Sequence, residues 1–283
     1  MCRTALFLFV LLAGMVTAAG GAYLDGMVMR MSDRQVVGFP QMIDDAAGAD
    51  VVFVSETHDN YRHHATELEI IRALQARKVA LAIGLEMFQS DGQQALDDWT
   101  AGRLTEKQFI PLYYRNWNFD WSLYREIFLY AREHRIPMLA LNIPKRIVFK
   151  VAGSGFASLT AAERKGLPAR VTCDLSNPQT AFLRHTFKEV YRHEAGGRLF
   201  DYFCEAQAVR NSGMAMNIAR YLKREPGRTM VVLTGDWHAV KYGIPGELGR
   251  FGSFRSRVLF SIVPGLDARN ATSDMVDYLI GWR

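Results

Sequence analysis

Five short stretches of the chain are apolar and rich in β-branched residues. They are DVVFVS near 50–55, VALAIGLE near 79–86, PMLALNI near 137–143, TMVVLTG near 229–235 and RVLFSIV near 257–263. Runs of this length and composition predict buried β-strands. Three of them are continuous rather than alternating, which is typical of strands covered on both faces and therefore favours a parallel sheet.

Segments with a helical pattern lie between these runs. The stretch HHATELEIIRALQAR places Leu68, Ile71 and Leu74 on one side, with polar residues opposite. Further helix-like stretches, SDGQQALDDWTAG and SLYREIFLYAREH, precede the third strand. The alternation of strands and helices predicts an α/β fold with a mainly parallel central sheet flanked by helices.

One segment, Pro144 to Arg228, is too long for a simple connection between two strands. It contains several helix-like stretches that are interrupted at Gly155, Pro168 and Pro178. We expect a helical insertion subdomain at about 144–228, within a single domain that spans residues 20–283.

The N-terminus has the pattern of a secretory signal peptide at residues 1–19. Arg3 precedes an apolar run from Ala5 to Val16, and the small-residue stretch TAAGGA follows, with cleavage expected near Ala18 or Ala19. The run is too short to span a bilayer comfortably. We therefore expect an exported protein of the periplasm or cell envelope, and the absence of a cysteine after the run gives no support to a lipoprotein anchor.

Charge and cysteine content add two expectations. The net charge is +5, but lysine and arginine are scattered, so no nucleic-acid partner is predicted. The basic balance suits an anionic ligand or simple solubility. Export would place Cys173 and Cys204 in an oxidising compartment, where either a disulfide or two buried thiols fits the sequence.

Polar and ionisable residues follow four of the predicted strands. They are Glu56, His58 and Asp59 after the first, Glu86 at the end of the second, Asn142 after the third, and Asp236 and His238 after the fourth. Because ligands of open parallel sheets bind at the carboxyl ends of the strands, we expect one site there. The alternative to a ligand site is a purely structural role for these residues. A glutamate would then cap the following helix, and a histidine would hydrogen-bond a loop carbonyl.

Two histidines and one carboxylate suit a divalent metal ion with open positions. In this chain that set is His58, Glu86 and His238, with Glu56 as a spare ligand or general base. His63 and His64 begin the next helix, where they are either exposed helix-start residues or part of a cleft lip that contacts a large anionic ligand.

Aromatic residues crowd the stretch FIPLYYRNWNFDWSLY. Core packing explains such a stretch, and so does an apolar wall for a planar ligand. In the second case Arg115 would bind the ligand's carboxylates, and Tyr113 or Tyr114 could bind a haem iron as phenolate.

Several blocks together resemble the ChaN-like haem-binding uptake family, which is grouped with the Tiki metalloproteases and the erythromycin esterases. The blocks run from about Val51 to Pro245 and are SETHDNYRHH, IGLEMF, LDDWTAG, WNFDWSLYREIFLYAREHRIPMLALNIPK, QAVRNSGMA and GDWHAVKYGIP. The resemblance implies an α/β fold with a helical subdomain, and haem held at a dimer interface. From the Tiki relatives it implies a metal at His58, Glu86 and His238. Departures from the family pattern are Ser55 in place of glycine and the bulky Trp237, which would narrow the pocket.

The first functional hypothesis is an exported haem-binding protein for bacterial iron or haem acquisition, with a homodimer and an outer-membrane haem receptor or uptake system as partners. The iron-ligand candidates are Tyr242, Tyr113, Tyr114, His58 and His63, and Tyr242 is favoured because it follows the His238 loop. His64, Arg115, Asp236 and Asn142 are further haem or cofactor contacts. The alternative is a metal-dependent hydrolase of the Tiki or erythromycin-esterase type. A third is a non-catalytic protein that binds a partner through the helical insertion.

Overall fold

The computed structural model describes residues 26–282, except 170, 172, 175, 178–179, 181–182, 185–186 and 188–196. The predicted signal peptide at 1–19 lies outside the described residues. Within the described part of the chain, no helix combines the length and apolar character needed to cross a membrane.

The structure is built on one eight-stranded sheet. Its strands are β1 Gly26–Arg30, β2 Gln35–Val37, β3 Val51–Glu56, β4 Leu81–Gln89, β5 Met138–Asn142, β6 Thr229–Gly235, β7 Ser256–Ser261 and β8 Tyr278–Trp282. Their order is β2-β1-β8-β7-β3-β6-β4-β5. The pairs from β8 to β5 are parallel, whereas β1 is antiparallel to β2 and β8. The predicted α/β fold with a mainly parallel sheet is confirmed.

The five predicted strands are the parallel strands β3 to β7. Every residue of β3, β5 and β6 is buried, as their continuous apolar runs indicate. The sequence pattern missed β1, β2 and β8, which are only 5, 3 and 5 residues long. β2 is too short to show a period. β5 also has five residues but is a continuous apolar run, whereas a glycine, which is uncommon in strands, occurs in β1 and in β8.

Helices cover both faces of the sheet. They are α1 Phe39–Ala46, α2 Tyr61–Ala76, α3 Gln93–Thr100, α4 Glu106–Asn116, α5 Trp121–Glu133, α6 Lys145–Ser154, α7 Ala161–Arg164, α8 Gly197–Arg224, α9 Asp236–Ala239 and α10 Ile244–Leu248. Side-chain caps begin several of them. Asn60 accepts a hydrogen bond from the backbone of Arg62 at the start of α2, and Asp120 does the same for Ser122 at the start of α5.

The long helix α8 has two packing partners. Its middle, with Ala206 and Val209, packs against Ile147 and Val151 of α6. Its later part belongs to the core on one face of the sheet, through residues that include Met214, Ile218 and Leu222. The segment predicted as a helical insertion therefore contains the helix that crosses over the sheet to β6.

A disulfide links Cys173 to Cys204 of α8, with 5.6 Å between their Cα atoms. Of the two alternatives that the sequence left open, the structure has the disulfide. It ties the segment before α8 to the helix itself, beside an apolar cluster that includes Phe200 and Phe203.

Candidate functional site

The carboxyl ends of β3, β6 and β4 lie side by side in the sheet and form the floor of a cavity. The cavity measures about 360 Å³ and is called here the strand-end cavity. Its lining comes from three strand ends and from α8, and consists of Glu56, Thr57, His58, Glu86, Arg210, Gly235, Asp236, Trp237 and His238. The structure thus brings together residues separated by up to 182 positions, through strand order alone.

Glu56 and His58 form a hydrogen-bonded pair at the end of β3. The distance between His58 Nδ1 and Glu56 Oε1 is 2.6 Å, and the buried Tyr124 hydroxyl donates to the same oxygen at 3.1 Å. Burial lowers the pKa of His58, but the charge of Glu56 and its hydrogen bond outweigh burial and raise that pKa to about 9. At neutral pH His58 is therefore an imidazolium.

Glu86 is the most fully bonded carboxylate of the cavity. Its Oε1 pairs with the Arg210 guanidinium at 2.5 Å, and its Oε2 accepts from Thr234 Oγ1 at 2.6 Å and from the Gly235 amide at 2.7 Å. Burial opposes ionisation, yet the neighbouring positive charges and these donors hold the pKa of Glu86 well below its usual range. Glu86 is therefore ionised at neutral pH.

Asn142 and Gln207 hold Arg210 in place. The Asn142 amide donates to the Glu86 carbonyl at 2.9 Å and accepts from Arg210 Nε at 3.4 Å. Gln207 accepts from Arg210 Nη1 at 3.1 Å. Asn142, predicted as a cofactor contact, thus orients the arginine that binds Glu86.

His238 lies behind this ion pair and is fully enclosed. Its Nδ1 bonds the Asn211 side-chain oxygen at 2.5 Å, and its Nε2 lies 3.6 Å from Glu86 Oε1. Burial outweighs the attraction of Glu86 and lowers the pKa of His238 to about 3. The ring is therefore neutral at neutral pH, and the permanent positive charge beside Glu86 is that of Arg210.

Asp236 supplies a third carboxyl group, next to Trp237. Its Oδ2 accepts a long hydrogen bond from Thr57 Oγ1 at 3.4 Å. Within the described residues, the buried Asp236 Oδ1 has no hydrogen-bond partner, and neither does the buried Glu56 Oε2. Burial and the negative charge of Glu56 raise the pKa of Asp236 to about 8.

The donor set does not fit a divalent metal ion. In the described part of the chain, no group of three His, Cys, Asp or Glu side chains is arranged to hold a metal. Glu86 gives both oxygens to Arg210, Thr234 and Gly235. The Arg210 guanidinium supplies the positive charge at Glu86 that the predicted metal would have supplied.

His63 and His64 are buried rather than exposed on a lip, so that part of the prediction is wrong. Both side chains are only 2% exposed. His63 Nδ1 accepts from the Thr57 amide at 2.9 Å, and burial lowers its pKa to about 4. His64 bonds Glu67 at 2.9 Å and the His58 carbonyl at 3.2 Å. Both side chains therefore point inward, and their hydrogen bonds hold the loop between β3 and α2 in place.

The aromatic stretch divides between core and cavity wall. Tyr113 is fully buried and donates to the Phe119 carbonyl at 3.1 Å, and burial raises its pKa far above the usual range. Its predicted role as a phenolate ligand is therefore wrong. Trp117 and Phe119 contact the His58 ring at centroid distances of 4.8 and 5.0 Å.

Two other predicted contacts of this stretch, Tyr114 and Arg115, face outward. Tyr114 is 44% exposed, and its hydroxyl accepts from the Trp121 amide at 3.1 Å. Arg115 is exposed. Neither residue lines the strand-end cavity.

Tyr242 lines a separate cavity of about 260 Å³ next to the disulfide. Cys173, Cys204 and Asn211 line the same cavity. Because Asn211 also bonds His238, it stands between this cavity and the strand-end cavity. Tyr242 therefore lies near the predicted site but not in it.

A partly apolar rim adjoins the strand-end cavity on the side of α6. A cleft of about 120 Å³ there shares Glu86 and Arg210 with the cavity and is lined further by Trp117, Val148, Phe149 and Lys145. These last four residues are called here the α6 rim. Phe149 is 71% exposed, an unusual position for so large an apolar ring.

The sequence interpretation missed Arg210, Asn211, Tyr124 and Phe149 as parts of the site. Arg210 and Asn211 occur in a helix, where charged and polar residues usually face solvent. The available signal was the polar group Gln207, Arg210 and Asn211 at helical spacing within an otherwise apolar stretch.

Three comparisons relate this architecture to known proteins. A family model described as haem-binding uptake, Tiki superfamily, ChaN matches residues 42–248. A solved structure described as cofacial heme binding to ChaN of Campylobacter jejuni aligns with a TM-score of 0.74 and 18% identity, covering 91% of this chain and 97% of that chain. An erythromycin esterase mutant in its open conformation aligns with a TM-score of 0.49 and 12% identity, over 83% and 76% of the two chains.

Among curated proteins, the chain is 22% identical over 243 residues to the chloroplastic protein RETICULATA-RELATED 5 of Arabidopsis thaliana. The match covers 78% of this chain and 32% of the relative, so the chain spans about a third of that relative's length.

Proposed function

The chain belongs to the family of ChaN-like haem-binding uptake proteins in the Tiki superfamily, and we propose that it binds haem in the service of bacterial iron or haem acquisition. The predicted export signal supports a place in the periplasm or cell envelope. An outer-membrane haem receptor or uptake system would then be its partner.

The single observation that supports haem binding most directly is the α6 rim. Haem is a flat apolar ring that carries two carboxylates, so its site needs an apolar surface with cations at one edge. Phe149, Val148 and Trp117 offer the surface, and Lys145 offers a cation that is not paired with Glu86. Phe149 is 71% exposed, so its ring has apolar area that a ligand would cover.

Three of the predicted iron ligands remain open to a ligand. Tyr114 lies on α4 and is 44% exposed, and Trp117 is the residue directly after this helix. Tyr242 is half-buried. His58 Nδ1 bonds Glu56, and its Nε2 can bind iron only after it loses the proton that a pKa of about 9 keeps on the ring at neutral pH. Tyr114 is favoured because it is the most exposed of the three.

A homodimer is part of the proposal. The neighbour from Campylobacter jejuni is described as binding haem cofacially. Two copies of this chain that face each other across their α6 rims would enclose two haem groups and cover both copies of Phe149. The expected consequence is that haem promotes dimer formation.

The test is a titration of purified protein with haemin, followed by absorption and by elution volume. We expect a Soret shift that saturates at stoichiometric haemin, together with a dimer on size exclusion. Tyr114→Phe should change the spectrum of the bound haem, whereas Tyr242→Phe should not. Absence of a Soret shift at micromolar haemin would overturn the proposal, and a changed spectrum in Tyr242→Phe alone would move the iron ligand to the disulfide cavity.

A metal-dependent hydrolase is not proposed, because the guanidinium of Arg210 already neutralises Glu86. Elemental analysis of the purified protein separates the two functions. The haem proposal predicts iron after haemin treatment and no stoichiometric zinc, manganese or cobalt before it.

A further inference from the structure

Two buried carboxyl oxygens in the strand-end cavity have no hydrogen-bond partner among the described residues. They are Glu56 Oε2 and Asp236 Oδ1, and both residues line the cavity. Glu56 is 1% exposed, so bulk water does not replace the missing partner. An ionised carboxylate oxygen only accepts hydrogen bonds. A ligand of this cavity that contacts these oxygens in their ionised form must therefore carry donors.

The charges of the cavity lack one cation. Glu56 is paired with His58, and Glu86 is paired with Arg210. Asp236 is the third carboxyl group, and no ion pair to it occurs within the described ranges. Its pKa, raised by burial and by Glu56 to about 8, keeps it largely protonated without a cation, and a bound cation would displace that proton and favour the carboxylate. Buried charges are normally paired, so the cavity has room for one further positive charge.

The wall beside Asp236 also favours a cation. Trp237 lines the cavity next to Asp236, and indole rings attract ammonium groups through their electron-rich faces. Haem carboxylates would be disfavoured here, because they have no hydrogen-bond donors and carry the same negative charge as ionised Glu56 and Asp236. This part of the cavity is therefore unsuited to the ligand that fits the α6 rim.

We propose that the strand-end cavity binds the primary ammonium group of a small organic amine, with its N–H donors on Glu56 Oε2 and Asp236 Oδ1 and its carbon chain against Trp237. The site is distinct from the haem surface at the α6 rim, and it does not depend on haem binding. Its ligand class is an alkyl ammonium ion such as the end of a lysine side chain.

The experiment is calorimetric titration of the full mature protein with n-butylamine at neutral pH. Saturable binding at one site is expected. Tetramethylammonium keeps the charge but has no N–H donor, and n-butanol keeps a donor but has no charge. Hydrogen bonds to charged groups are strong enough that each of these probes should bind at least about tenfold more weakly.

Two variants locate the site. Asp236→Asn keeps the size of the side chain but removes its charge, and should weaken n-butylamine binding at least about tenfold. Asp59→Asn is the matched control, because Asp59 is an exposed carboxylate in the next loop that does not line the cavity. It should leave binding unchanged. Circular dichroism and haemin binding show whether each variant is folded.

Three results would overturn the proposal. They are no saturation with n-butylamine, equal affinity for tetramethylammonium, and unchanged binding in Asp236→Asn. Should Asp236→Asn not fold, the comparison of the three probes on the unmodified protein still decides the question.

Discussion

Glu86 on β4 and Arg210 on α8 form a buried ion pair between residues 124 positions apart in the chain. The side chains are 2% and 16% exposed. The pair fixes the long helix over the strand ends, and its two charges neutralise each other. It also explains why Glu86 is not free to bind a metal ion.

Removal of Arg210 should strongly destabilise the protein. Arg210→Met keeps the bulk of the side chain but leaves Glu86 charged and buried, which typically costs about 3–5 kcal/mol. Urea unfolding measures the change. Arg255→Ala is the control, because Arg255 pairs with Asp50 but is 72% exposed, and loss of such a surface pair costs less than about 1 kcal/mol.

The double variant Glu86→Gln with Arg210→Met tests the reason for the effect. If the uncompensated charge is the cause, the double variant should be more stable than Arg210→Met alone. Equal stability of the two would show that Arg210 acts through packing instead.

The imidazole of His58 should titrate well above the ordinary histidine range. Its pKa in the folded protein is raised from 6.5 to about 9. A raised pKa stabilises the folded state fully below pH 6.5, and the stabilisation is lost as pH rises from 6.5 through 9. The pKa of Asp236 is raised from 3.8 to about 8, so the free energy of unfolding also falls as pH rises from 3.8 through 8. Stability measurements alone therefore do not separate His58 from Asp236.

NMR of the histidine ring protons separates them. The His58 signals should shift with a midpoint near pH 9, and Glu56→Gln should move that midpoint down towards 6.5 because it removes the charge that raises it. His238 serves as the internal reference, since its pKa of about 3 predicts no shift between pH 5 and 10. A His58 midpoint at or below 6.5 in the unmodified protein would mean that burial dominates.

Reduction of the Cys173–Cys204 disulfide should lower stability and disturb Trp237. The bond closes a loop with a sequence separation of 31, for which chain entropy gives a stabilisation of about 3–4 kcal/mol. Phe203, next to Cys204, makes an edge contact with the Trp237 ring at 5.7 Å. Thermal unfolding and tryptophan fluorescence with and without dithiothreitol measure both effects. Two free thiols in the folded, untreated protein would contradict the disulfide.

The sequence allowed the parallel part of the fold to be predicted, because burial on both faces makes those strands apolar throughout. In β3, for example, every residue from Val51 to Glu56 is buried. The antiparallel edge was not predictable in the same way. Met27 is 39% exposed and Val36 is 62% exposed, so burial imposes no distinct pattern there.

The strand-end residues of the site were predictable for a related reason. Strand order brings Glu56 and Gly235 into register as partners on β3 and β6, and parallel strands end at one edge. The contribution of α8 was not predictable, since the rotation of a helix about its axis decides whether Arg210 faces the sheet or the solvent. Gly213 is part of that decision, because an added Cβ would lie 2.3 Å from the Ile143 side chain.

Export should remove the N-terminal segment. When the full chain is produced in a Gram-negative host, the protein should appear in the periplasmic extract with its N-terminus just after Ala18 or Ala19. Intact mass measurement identifies the terminus. Retention of residues 1–19 on a cytosolic protein would contradict the predicted signal peptide.

The central claim is that haem binds on the α6 rim, and haemin affinity in a matched pair of variants tests it most directly. Phe149→Ser removes the exposed ring of the rim. Val36→Ser removes an exposed apolar residue of β2, at the opposite edge of the sheet from β5. Burial of a phenylalanine contributes about 1.5–3 kcal/mol, so Phe149→Ser should weaken haemin binding by about ten- to a hundredfold, while Val36→Ser leaves it unchanged. Equal haemin affinity of both variants and the unmodified protein would contradict the claim.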